Sequence, residues 1–284
     1  MNAHCDIAIV GGGPVGTALT LALRDSGLQI VMLEARKMEH VNTDPRALAL
    51  SSGSRQLLER IGVWKDITQV SLIKSIHVSQ KNSFGRTLLC AEDLKVPELG
   101  YVLPYTALQT ALQSALKGSK TTCLTGAAVT QLQSTSNGAS ISYQHAGHDH
   151  QLEARLAVVA DGGKLLEVAH PPKIRDYGQS AVIAHVTCTH PQPDIAFERF
   201  TMHGPLALLP FRDGYELVWT ATHEIAQAIQ HWDDATFLAE LHQHFGDRAG
   251  KFLTVGKRAC FPLRLKRAPE ITLPHTVLIG NAAQ

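Results

Sequence analysis

Two short apolar runs frame the start of the chain. Ile7-Ala8-Ile9-Val10 is uninterrupted by polar residues, and Ile30-Val31-Met32-Leu33 repeats the pattern before closing on Glu34. Runs this short, with no alternation, are the mark of strands buried on both faces of a parallel sheet. Between them Val15, Ala18, Leu19, Ala22 and Leu23 recur at helical spacing, which predicts a helix that Gly27 stops with a left-handed cap. The two runs and the helix make a strand–helix–strand unit of about thirty residues. Leu156 to Ala160 and Thr276 to Ile279 carry the same buried-strand signature, and residues 105–117, with Leu108, Leu112 and Leu116 four apart, predict a further helix.

From Ser180 to Thr222 the pattern changes to strict alternation, as in "AVIAHVTC" and "GYELVWTAT", with a turn at "FRDGYE". That predicts antiparallel sheet. Ile225 to Phe245, with Leu238 and Leu241 on its apolar side, predicts one helix closing that sheet. "HAGHDH" (His145, His148, Asp149, His150) looks like a metal cluster but sits between two alternating runs, so it is expected to be a solvated hairpin turn with no metal. The expected fold class is α/β (α+β overall): a Rossmann-like domain with an inserted antiparallel-sheet domain. In segments this gives 1–72, 101–174 and 271–284 to the first domain, and 73–100 and 175–270 to the second.

Composition narrows the partners. The chain has 284 residues, of which 44% are hydrophobic and 18% charged, and its formal charge is +1. That is enough to bury a large core, and there is no broad field for nucleic acid, so no nucleic-acid partner is expected. Cys5, Cys90, Cys123, Cys188 and Cys260 are scattered and include no C-x-x-C pair, which fits a reducing cytoplasm. The first apolar run is too short to span a bilayer, although a place on a membrane surface stays open. The basic stretch Lys257 to Pro269 is read either as a contact for anionic lipid or, more simply, as a solvated strand edge.

The candidate chemistry lies between the first strand and the first helix. Gly11, Gly13 and Gly16 stand in G-x-G-x-x-G spacing. The first glycine permits a tight turn, the second lets the backbone approach a pyrophosphate, and the third lets helix and strand pack closely. Glu34 follows at the end of the second strand, about twenty residues on, where a carboxylate accepts hydrogen bonds from a ribose. In this context the motif predicts a dinucleotide site, the competing reading being a structural glycine turn. Asp161-Gly162 ends the third buried strand at the carboxyl edge of the sheet, where ligands bind in such folds.

Three marks together, namely this fingerprint, Asp161-Gly162 in "RLAVVADGG", and "TVLIGNAAQ", resemble the FAD-dependent aromatic-ring hydroxylases, the group that includes p-hydroxybenzoate hydroxylase. "DPRALALSSGSRQLLERIGVW", "AFERFTMHGPLALLP" and "LIGNAAQ" look like its ubiquinone-biosynthesis branch. The resemblance implies resident FAD, NAD(P)H as co-substrate, and O2 added through a flavin C4a-hydroperoxide to a prenylated phenol. It also implies a cytoplasmic chain, peripheral to the inner membrane or part of a ubiquinone-biosynthesis complex. As cofactor residues it implies Gly11, Gly13, Pro14, Val15, Gly16, Glu34, Ala35, Val129, Asp161, Gly162, Gly280 and Asn281, with Arg46 near the FAD phosphates or flavin. Arg36 is placed either at the adenosine end or on the surface. His203 falls on a strand the family sets near the substrate, while a core or surface histidine is the favoured reading.

The chain departs from the family pattern in three places. Leu165 and Val168 replace the usual Ser and Arg after Asp-Gly, which weakens that helix as a nicotinamide aid. Asn281 replaces the common Asp but matches the ubiquinone branch. The family continues beyond Gln284 with a segment set against the isoalloxazine, so the chain is expected to keep the adenosine–pyrophosphate site without the flavin-ring floor. The alternative function is a non-catalytic flavin-binding or assembly protein. No side chain is expected to act as a nucleophile.

Overall fold

The computed structural model describes residues 3–37 and 44–284. Among the described residues the strands form three sheets, whose members interleave along the chain, and there are five α-helices. The strands are β1 (Ala3–Val10), β2 (Ile30–Glu34), β3 (Ala47–Ser51), β4 (Ser71–Ile73), β5 (Ser75–Gln80), β6 (Arg86–Cys90), β7 (Gly100–Pro104), β8 (Thr122–Thr125), β9 (Ala128–Ser134), β10 (Ala139–His145), β11 (His148–Val159), β12 (Lys173–Cys188), β13 (Ile195–Thr201), β14 (Gly204–Phe211), β15 (Gly214–Thr222), β16 (Phe252–Val255), β17 (Ala259–Arg267), β18 (Thr272–Leu273) and β19 (Thr276–Leu278). The helices are α1 (Pro14–Leu23), α2 (Ser52–Arg60), α3 (Tyr105–Lys117), α4 (His223–His231) and α5 (Asp234–Phe245). The polar loop expected before Asp44 lies largely outside the described residues.

In the first sheet the strands run β18-β19-β11-β1-β2-β8, and the β9–β10 ribbon hangs on β11. The pairs β19–β11, β11–β1, β1–β2 and β2–β8 are all parallel. This explains the unalternated apolar runs, because Ala8, Ile9, Val158 and Val159 are buried with helix on one face and ribbon on the other. Helices α1 and α3 cover one face, where Leu21, Leu108, Leu112 and Leu116 meet Ile9 and Met32.

The second sheet runs β16-β12-β15-β14-β13-β5-β6, with β17 also on β12. Its strands are antiparallel as expected except for β13 and β5, which pair in parallel because β5 enters from an earlier part of the chain. The basic stretch Lys257 to Pro269 contributes β17, paired to β12 over Ala259 to Arg267. A small third sheet, β3-β7-β4, lies between the two larger ones.

The structure corrects the sequence reading at three elements. The helix expected over Ile225 to Phe245 is two helices, broken at Trp232–Asp233. Asp233 takes an extended conformation and its carboxylate accepts from the Thr236 amide at 2.9 Å and the Thr236 hydroxyl at 2.7 Å, starting a new helix. Gly27 has a positive φ of 77°, but α1 already ends at Leu23, so this glycine shapes the following turn rather than the cap. The buried face of α1 is Gly16, Thr17, Thr20 and Leu21, whereas Val15 is 44% exposed. The small threonines allow close approach and place their hydroxyls on the backbone carbonyls of Gly12 and Gly16. At "HAGHDH" the chain does form a hairpin, with Ala146 and Gly147 both at positive φ between β10 and β11.

Candidate functional site

Three loops meet at the carboxyl edge of the parallel sheet. The glycine loop after β1 lies against Ala160–Asp161 after β11, and the turn after β19 lies against both. A Cβ on Gly11, whose φ is +107°, would stand 2.6 Å from the Ala160 carbonyl oxygen, and one on Gly16 would stand 1.9 Å from the Gly11 oxygen. Both positions need glycine simply to let the loop close. Gly13 differs, because its φ is −69° and a Cβ there would meet no atom of the chain within 4 Å. The protein itself gives no reason for glycine at position 13. The open space beside it is the cradle that a close-lying pyrophosphate would fill.

Gly13 is also the N-cap of α1, with Pro14 at the first helical position. No side chain caps this helix and its first turn holds no acid. The amides of Val15 and Gly16 find no acceptor among the described residues. A helix start left uncapped in this way presents N–H groups and partial positive charge to an anion.

Glu34 anchors the other side of the loop. Its Oε2 accepts from the Gly12 amide at 2.5 Å, and its Oε1 accepts from the Arg36 amide at 2.9 Å and the Arg36 guanidinium at 2.8 Å. Burial pushes this carboxyl's pKa up, but the hydrogen bonds from Arg36 and Gly12 outweigh it and hold the group below its ordinary value. Ionised Glu34 has about four acceptor sites and uses three internally, leaving one on Oε2 for a ribose hydroxyl. Arg36 is half-exposed and ion-paired to Glu34 at the rim, next to exposed Ala35. Ala127 donates to the Glu34 carbonyl, so β9 begins alongside the end of β2, and Val129 turns its side chain into the apolar cluster with Leu33 and Leu152.

Asp161 does not aim a free carboxylate outward. It accepts from the Gly163 amide at 2.8 Å and the Leu165 amide at 2.7 Å, fixing its own loop. Gly162, at φ +81°, has open space around its Cβ position, and a Cβ on Gly163 would stand 3.4 Å from the Asn281 carbonyl oxygen. Gly280 lies under Val15, and exposed Asn281 keeps its side-chain amide without a partner among the described residues. The structure therefore brings together every sequence-derived candidate except Arg46, which stands to one side, and Val129, whose side chain packs in the apolar cluster. Gly12, Gly163 and Tyr105 were not candidates. The run Gly11-Gly12-Gly13 is the signal for Gly12, since a Cβ there would lie 2.9 Å from the Cβ of Glu34.

Arg46 is held by Asp44 through contacts of 2.6 to 3.0 Å and lies over the Tyr105 ring at 5.6 Å. It marks one wall of a cleft of about 300 Å³ between the small sheet and the second sheet. The opposite wall carries Ile183, His185, Phe211, Arg212, Glu216 and Ala259. His185 Nδ1 lies 3.2 Å from Glu216 and Nε2 3.1 Å from Asp213. Carboxylates only accept, so an arrangement with one on each ring nitrogen favours the protonated imidazolium. The Glu216 bond leads in raising this histidine's pKa, with burial opposing it and Asp213 reinforcing it. No sequence signal exposes this cluster, because His185 and Glu216 become neighbours only through the β12–β15 register. His203 is exposed in the β13–β14 turn, at the opposite end of β14 from Phe211 and away from this cleft.

A family profile described as FAD binding domain matches residues 4–283. The chain belongs to the FAD-binding domain family. It is similar to an uncharacterized protein of Synechocystis (31% identical, 98% of this chain and 69% of the relative) and to 3-demethoxyubiquinol 3-hydroxylase of Escherichia coli (29%, 99% and 74%). Among solved structures it is similar to p-nitrophenol 4-monooxygenase PnpA of Pseudomonas putida, with TM-score 0.80, 16% identity, and coverage of 100% of this chain and 74% of that one. PqsL of P. aeruginosa in complex with 2-aminobenzoylacetate gives TM-score 0.80 at 16% identity, covering 99% and 79%. The fold is thus the p-hydroxybenzoate-hydroxylase-like one, and the chain is a FAD-binding monooxygenase-family member related to ubiquinone hydroxylases. Among the described residues no helix is long and apolar enough to cross a membrane.

Proposed function

We propose that this chain holds FAD and hydroxylates a polyprenylated phenol in ubiquinone biosynthesis, in the manner of 2-octaprenyl-6-methoxyphenol hydroxylase. The observation that carries the cofactor reading is the open cradle at Gly13 beneath an uncapped helix start. The relatives named as ubiquinone hydroxylases support the choice of substrate class. FAD, when bound, supplies the redox chemistry, with NAD(P)H as reductant and O2 as the oxygen source.

Each part of the chain then has a task. The amides of Val15 and Gly16 and the α1 dipole receive the pyrophosphate. Glu34 Oε2 takes a ribose hydroxyl, and the Asn281 amide bonds a further hydroxyl of the cofactor chain. Arg46, fixed by Asp44 and Tyr105, would supply positive charge to a cofactor phosphate or flavin. In the cleft Ile183, Phe211 and Ala259 present apolar surface to an aromatic ring and limit water. The Glu216 side chain is only 14% exposed and lines this cleft, where a carboxylate can accept a hydrogen bond from a phenol hydroxyl and make its ring more electron-rich. His185, hydrogen-bonded to Glu216 through one ring nitrogen and to Asp213 through the other, orients Glu216.

The test is turnover. With FAD added, NAD(P)H oxidation is expected to rise when a prenylated phenol is supplied, with hydroxylated product formed in step. Oxidation that never responds to any phenol, or that yields only hydrogen peroxide, contradicts the reading.

A further inference from the structure

The two most exposed large apolar side chains among the described residues lie far from the cleft, at the tips of two adjoining hairpins. Phe84, between β5 and β6, is 106% exposed, and Met202, between β13 and β14, is 97% exposed. The tips are neighbours because β5 pairs with β13 in parallel, and the ladder continues to the tip itself, where the Lys81 amide donates to the Phe200 carbonyl at 2.8 Å. Phe200, 48% exposed, stands between them.

Met202 is held outward. The Thr201 hydroxyl donates to the Gly204 carbonyl at 2.7 Å and accepts from the His203 amide at 3.2 Å, while the Gln179 side chain donates to the His203 carbonyl at 3.2 Å. A Cβ on Gly204 would strike the Thr220 carbonyl oxygen at 2.6 Å, which fixes how the turn leaves the sheet. The charge on the two tips has one sign. Lys81 and Arg86 flank Phe84, and neither 80–87 nor 199–204 contains Asp or Glu, while Arg199 turns inward to donate to the His244 carbonyl and the Ser79 hydroxyl.

We infer that these two tips dock the chain on an anionic lipid surface, with Phe84 and Met202 entering the headgroup boundary and Lys81 and Arg86 meeting lipid phosphates. Projecting apolar side chains backed by cations match the chemistry of such a surface. A protein partner fits less well. Convex tips offering of order 200 Å² per large side chain fall short of the ~800 Å² that a stable interface takes from each partner. This docking deepens the proposed function, since a polyprenylated phenol resides in lipid, but it is measured without turnover.

The experiment is co-sedimentation of the full chain with vesicles of phosphatidylcholine containing phosphatidylglycerol as the minor lipid, beside vesicles of phosphatidylcholine alone. The wild-type chain is expected to bind the anionic vesicles, weakening by at least about tenfold in F84S/M202S and again in K81Q/R86Q, with binding falling as salt rises. Both doubles change exposed side chains only, and unaltered circular dichroism and flavin retention confirm that they fold. The inference is overturned if the wild type ignores anionic vesicles, if either double binds as the wild type does, or if phosphatidylcholine alone is bound equally. It is equally overturned if Phe84 and Met202 instead mediate self-association without lipid. A chain that binds vesicles but turns over no phenol leaves the docking standing and removes only the proposed substrate.

Discussion

Single residues separate what the fold needs from what a ligand needs. Gly16 and Gly11 are required by the chain, since a Cβ on either collides with backbone atoms. Gly13 is free of such conflict. In the absence of flavin, Gly16→Ala is therefore expected to destabilise the protein by about 3 kcal/mol or more, while Gly13→Ala leaves it within about 0.5 kcal/mol. Denaturant titration of the two apo variants checks this, and equal losses would remove the distinction. The sequence carries the three glycines and Glu34 plainly, because the spacing alone sets one strand–helix–strand unit. It does not reveal that Glu34 spends three acceptor sites on Gly12 and Arg36, or that Asp161 closes on Gly163 and Leu165. Those bonds depend on loop conformations that no periodicity encodes.

At the scale of elements, pattern reads well where one face is buried against a neighbour close in sequence. The helix expected over 105–117 is α3 to the residue, because Leu108, Leu112 and Leu116 stay on one face throughout. The segment 225–245 keeps its apolar period across Trp232–Asp233, so periodicity alone merges two helices; the break is a capping event. Asp233 offers its carboxylate to the first turn of α5, and that local bond wins over continuation. Asp233→Ala is expected to cost about 1 kcal/mol, visible as a Tm lowered by a few degrees with little change in far-ultraviolet circular dichroism. A Tm equal to that of the wild type would mean the cap contributes nothing and the break has another cause. Parallel pairing of β5 with β13 was equally hidden, since alternation predicts a half-buried strand but not its partner.

Over the whole molecule, the long-range registers create the cleft. His185 on β12 meets Glu216 on β15 and Asp213 in the turn before β15, and Arg46, from much earlier in the chain, faces them across the cleft. Because the folded-state pKa of His185 is raised, its ion pairs stabilise the protein fully below the ordinary value of 6.5, and this contribution is lost as pH rises through the folded value. The stability difference between wild type and His185→Gln should be largest between about pH 5 and 6.5 and should shrink as pH rises above that range. A difference that stays flat or grows with pH would show that His185 is not a cation in this cleft. The central claim is that the edge where the three loops meet holds a resident flavin, and the most direct measurement is the visible spectrum of the chain after adding FAD and removing free flavin. The wild type is expected to keep a stoichiometric flavin spectrum, and Gly13→Ala to lose it through an affinity at least about tenfold weaker although it folds normally. A colourless wild-type protein, or a Gly13→Ala variant that retains flavin as well as the wild type, would contradict the account.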